Sequence, residues 1–61
     1  MKHYIIDLYK NDEWVITYEL SDESIETAIR RVIQEAYYDD YDVDYYIAYT
    51  EENNESKEGW V

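Results

Sequence analysis

Hydrophobic and polar residues alternate from the start of the chain. In KHYIIDLYK, Tyr4, Ile6 and Leu8 form an apolar set while His3, Asp7 and Lys10 are polar, the two-residue period of a half-buried strand. EWVITYEL repeats the pattern, with Trp14, Ile16, Tyr18 and Leu20 on one face and Glu13, Val15, Thr17 and Glu19 on the other. The polar KNDE between the two runs is a hairpin turn. The period then lengthens: Ile25, Ala28, Ile29, Val32, Ile33, Ala36 and Tyr37 recur at helical spacing, which predicts an amphipathic helix of about three to four turns. Ser21 is expected to cap its first amides, with Asp22 and Glu23 at the positive end of the dipole and Leu20 and Ile25 as a hydrophobic staple. Glu26 with Arg30, and Arg31 with Glu35, are spaced for ion pairs one turn apart. Beyond the helix, Val43, Tyr45, Ile47 and Tyr49 alternate with Asp42, Asp44, Tyr46, Ala48 and Thr50, a third strand.

The element order is therefore ββαβ, an α+β fold. The helix is expected on one face of a three-stranded antiparallel sheet, with the third strand beside the first. Residues 1–50 form a single domain. Residues 51–61, EENNESKEGWV, are an acidic polar tail that frays or docks its last residues, from Gly59, as a short fourth strand. A chain of 61 residues has little room to enclose a substrate, and a core of this size supplies only about 3–5 kcal/mol. With no cysteine, neither a disulfide nor a thiolate metal site reinforces it.

Charge changes the picture more than hydropathy does. Sixteen acidic residues against five basic ones give a formal net charge of −11, beyond the magnitude of about 2–8 that solubility asks for. Direct binding to DNA, RNA or anionic lipid is disfavoured, and fast encounter with a basic protein surface is favoured. Such surfaces usually exist to hold nucleic acid. The N-terminal MKHYIIDLYK is too short and interrupted for a secretory segment or a membrane span, so the expectation is a soluble cytoplasmic protein with no membrane partner.

The acid and the aromatic content meet in YYDDYDVDYY, residues 37–46. On the expected layout Asp39 and Asp40 stand at the negative end of the helix dipole, where a carboxylate is unfavourable. Asp42 and Asp44 share the sheet face opposite the helix, about 6.6 Å apart, and Glu51 and Glu52 prolong the row. Tyr38, Tyr41 and Tyr46 lie among them and are suited to protein contact. An arrangement that costs stability in this way has its benefit in a partner. These nine residues are the candidate partner-binding set.

A tiny, cysteine-free, tyrosine-rich and strongly acidic α+β chain resembles the phage-encoded DNA-mimic inhibitors, the anti-CRISPR and anti-restriction proteins. The resemblance rests on size, composition and charge over the whole chain. It implies an acidic surface that occupies the basic cleft of a nucleic-acid-binding protein in an infected host cell, a Cas nuclease first and a restriction enzyme second. Inhibition would be steric and electrostatic, with no cofactor and no catalysis.

Two other readings use the same residues. Asp40, Asp42, Asp44 and Glu51 match positions of a calcium loop, but Tyr45 stands where the sharp turn calls for glycine and no second helix follows. Alternatively, Ile5, Tyr9, Val15, Tyr46 and Ala48 make the uncovered sheet face sticky, and the chain pairs with a copy of itself. Enzyme chemistry has little support: His3 is the only histidine, and Ser21, Ser24 and Ser56 have none within foreseeable reach.

Overall fold

A computed structural model describes residues 1–52 and 54–61. The element order is β1 (Lys2–Lys10), β2 (Glu13–Asp22), α1 (Ile25–Tyr38), β3 (Tyr45–Tyr49) and β4 (Ser56–Trp60). The strands form one antiparallel sheet in the order β2-β1-β3-β4, and α1 packs on one of its faces. The fold is α+β, as expected, and the tail supplies a fourth strand of five residues in place of a frayed end.

The β1–β2 hairpin turns at Asn11 and Asp12, both with positive φ (51° and 66°). This is the backbone of a type I′ turn, which matches the twist of the strands and which Asn and Asp tolerate better than most residues. Next to it the register slips: Leu8 faces Ile16 but Tyr9 faces Trp14, leaving Val15 as a bulge. The extra residue reverses the direction of Trp14 relative to Ile16, Tyr18 and Leu20. Trp14 therefore lies on the sheet face away from the helix, a correction to the simple alternation.

The core lies between α1 and the sheet. Tyr4, Ile6 and Leu8 of β1 are fully buried against Ile25, Ala28, Ile29, Val32 and Ala36, with Tyr46 and Ala48 of β3 beside them. The facing of β3 is thus the reverse of the expected one: Tyr46, Ala48 and Thr50 point to the helix, and Tyr45, Ile47 and Tyr49 point away. Both sets are apolar enough to be buried, so alternation alone cannot choose between them. Packing does. Ala48 is small enough to sit fully buried under the helix, and the Tyr46 ring lies over Gly59, where an added Cβ would come within 3.1 Å of its hydroxyl.

The helix also begins later than expected. β2 continues to Asp22, which pairs with Lys2 across the sheet, so Ser21 belongs to the strand and Ser24 is the cap. The Ser24 hydroxyl oxygen accepts from the Thr27 amide at 3.2 Å, and Leu20 is too far upstream to act as a staple. The expected pairs along the helix are replaced by pairs to other elements. Arg31 reaches back to the buried Asp22 carboxylate at 3.0 Å, and Glu26 lies 3.9 Å from Lys57 of β4.

Candidate interaction surface

The candidate residues occupy four places. Asp39, Asp40, Asp42, Tyr38 and Tyr41 come together at the C-terminal end of α1, with Tyr37 and Tyr38 in edge contact at 6.0 Å. Asp39 is the C-cap, and the Tyr41 amide donates to the Ala36 carbonyl while the Asp40 amide donates to Tyr37. This is a Schellman motif with Asp40 at its left-handed position (φ 63°), where glycine is usual. Several of these acids have intramolecular work. The Tyr18 hydroxyl donates to Asp39 at 2.7 Å, Lys10 Nζ donates to Asp42 at 3.3 Å, and the Asn11 amide donates to Asp44 at 3.2 Å.

Asp42 and Asp44 precede β3 and lie outside it, so they do not form a row on the uncovered sheet face. Their carboxylates turn toward the hairpin. Glu51 and Glu52 stand beyond the other end of β3, about 23 Å from Asp44 if the chain between is extended, in a molecule whose longest dimension is 29 Å. Tyr46 is in the core and is removed from the surface set. The calcium-loop reading also meets this geometry: residues 45–49 are strand, which carries Glu51 away from Asp40, Asp42 and Asp44. Among the described residues no three or more acidic or histidine side chains converge as metal ligands.

What alternation misses is the surface built by the uncovered face itself. Cross-strand register places Trp14, Tyr9, Tyr45 and Trp60 side by side, one from each strand, in a single aromatic row. The next row is Thr17, Asp7, Ile47 and Glu58, and the one after it is Glu19, Ile5, Tyr49 and Ser56. Trp14 and Trp60 are 61% and 75% exposed. Tyr45 meets Trp60 edge-on at 4.8 Å. Ile5 and Tyr9 belong to this face as expected for a sticky surface, whereas Tyr46 and Ala48 point the other way and Val15 is the bulge.

Charge is divided between the two sides. Lys2, Lys10, Arg31 and Lys57 lie on the helix side or at the sheet ends and pair with Glu55, Asp42, Asp22 and Glu26. Among the described residues the uncovered face presents no Lys or Arg. Two of its acids are held by neutral donors instead: Thr17 donates to Asp7, and Tyr45 donates to Glu58 at 2.8 Å. His3 Nε2 lies 3.0 Å from Glu19. Glu51 and Glu52 border a depression with His3, Ile5 and Glu19, and Asp12 borders another with Tyr9, Tyr45 and Ile47. The hydroxyls report this field. Tyr49 is shifted above the usual tyrosine value by burial and then by the charges of Asp7 and Glu51, and Tyr45 mainly by its bond to Glu58.

Comparison with protein-family models, curated proteins and solved structures found no match to this chain. No helix is long and apolar enough among the described residues to cross a membrane.

Proposed function

We propose that this chain is a DNA-mimic inhibitor that occupies the basic nucleic-acid-binding cleft of an enzyme, with Cas nucleases as the first target class, which would make it an anti-CRISPR protein. One observation carries the reading: Lys and Arg are confined to the helix side and the sheet ends, while Asp7 and Glu58 of the uncovered face are oriented by neutral donors. A neutral donor fixes the direction of a carboxylate without cancelling its charge. Such a surface repels nucleic acid, attracts a cationic groove and excludes DNA from it by bulk and by competition for the same lysines and arginines. Asp39 and Asp40, at the C-terminal end of α1, add to the negative field, whereas Asp42 is paired with Lys10. A second copy is a poorer occupant, because two surfaces from chains of net charge −11 would meet acid to acid.

The test is displacement of labelled DNA from purified Cas nucleases and restriction enzymes. Release of DNA in proportion to added chain, weakening as salt is raised, is the expected result. No displacement from any enzyme in the panel, or displacement unaffected by salt, would refute the proposal.

A further inference from the structure

The aromatic row has a chemistry that negative charge alone does not explain. A DNA mimic needs carboxylates, yet both tryptophans of the chain stand exposed on the face that carries them. With strands about 4.8 Å apart, the row from Trp14 through Tyr9 and Tyr45 to Trp60 is about 14 Å long. Acids flank it: Asp7 and Glu58 occupy the neighbouring row, and Asp12 borders the depression of about 200 Å³ beside Tyr9 and Tyr45. The polar groups near the rings are already oriented. Trp14 Nε1 donates to Thr17 Oγ1 at 2.8 Å, and Thr17 in turn donates to Asp7.

Resting on the inhibitor reading, the geometry points to this row as an arginine-binding strip, whose occupant is an extended segment of the target with arginines at alternate positions. Three features select arginine. Guanidinium is planar and weakly hydrated, so it stacks on indole and phenol faces where ammonium stays hydrated. Its fork donates edge-on to a carboxylate while its face stays on a ring. Alternate residues of an extended chain are about 6.6 Å apart, so two or three arginines span the row. The face offers no Lys or Arg among its described residues to compete for the rings or the acids.

Trp14 and Trp60 are the chain's two tryptophans, so its intrinsic fluorescence reads the strip directly. Titration with a synthetic peptide of alternating arginine and serine, and with its lysine counterpart, is expected to change the emission with the arginine peptide bound about tenfold more tightly. Trp14→Leu with Trp60→Leu removes both reporters, so it is titrated by calorimetry alongside the wild type and should lose that preference, and Asp7→Asn with Glu58→Gln should weaken both peptides. Folding of each variant is checked by circular dichroism, and the wild-type titration stands whether or not the variants fold. Equal binding of both peptides, lost with the acids but indifferent to the tryptophans, would overturn the strip and leave polyanion mimicry intact. Binding of neither peptide, alongside no DNA displacement from the enzyme panel, would overturn both. Tryptophan-dependent binding that survives high salt unchanged would assign the row to a neutral ligand and overturn the strip.

Discussion

Asp40 sets two unfavourable effects at one residue, and they can be separated. Its φ of 63° is a left-handed conformation that costs an L-residue roughly 1–2 kcal/mol, toward the lower end for Asp. Its carboxylate also stands at the negative end of α1, whose last turn carries no basic residue, at a cost of about 0.3–1 kcal/mol. Asp40→Gly relieves both but gives the unfolded chain more freedom, which takes back about 0.4–1 kcal/mol. The net gain is about 0.5–1.5 kcal/mol. Asp40→Asn keeps the backbone tolerance and removes only the charge, a gain of about 0.3–1 kcal/mol. A domain of this size shifts its Tm by about 4–8 °C per kcal/mol, so thermal melts resolve the two. At about 1 M salt, where screening acts within about 3 Å, the gain from Asp40→Asn should vanish and that from Asp40→Gly should persist in part. If both substitutions lower Tm, the Asp40 carboxylate holds structure and the reasoning fails.

Other consequences follow from particular residues. Arg31→Ala leaves the Asp22 carboxylate, 4% exposed, with the Glu23 amide as its one donor among the described residues, and should cost about 2 kcal/mol in urea denaturation; a loss under about 0.5 kcal/mol would mean the pair is ornamental. Tyr4→Phe removes a buried hydroxyl that has no hydrogen-bond partner among the described residues and should raise Tm, whereas a lower Tm would reveal a hydrogen bond to water in that place. Alkali should unfold the chain. Tyr18 is shifted well above its ordinary value of 10.0 by burial and by its bond to Asp39, and burial raises Tyr4 and Tyr49 as well. Above that value the unfolded state releases protons the folded state retains, so the stability these tyrosines contribute is constant below about pH 10 and falls above it. Tyrosinate absorbance reaching the full value for nine tyrosines before any loss of structure would contradict this.

The helix and the β1–β2 hairpin were legible because each element had one periodicity and one apolar face, and β3 was legible as a strand but not in its facing. β4 was legible only as an option, since SKEGW carries almost no apolar signal and is held by pairing with β3. The errors arise where two solutions are nearly equal. SDES offers two serines as caps, and the continued pairing of Asp22 with Lys2 decides for Ser24. In DYYIAYT both alternate sets are apolar, and the choice depends on how closely α1 approaches Ala48 and on the room Gly59 leaves for Tyr46. The bulge at Val15 brings Trp14 into line with Tyr9, and nothing in EWVITYEL marks it. The aromatic row was therefore hidden, although Trp14 and Trp60 both lie next to strand ends where a change of facing is easiest. The density of acid was plain from composition, but its division between a neutralised side and an uncancelled side depends on where each lysine and arginine falls in three dimensions.

On the proposed function, negative charge acts from the uncovered face. The most direct measurement compares two double substitutions that remove the same charge: Asp7→Asn with Glu58→Gln on that face, and Glu23→Gln with Glu35→Gln on the exposed helix side. Each is titrated against the inhibited enzyme at fixed salt. The sheet-face pair should weaken inhibition at least tenfold while the helix-side pair changes it less than about twofold. Equal losses from the two pairs would mean that only net charge matters, and a larger loss from the helix side would place the binding surface on the wrong face.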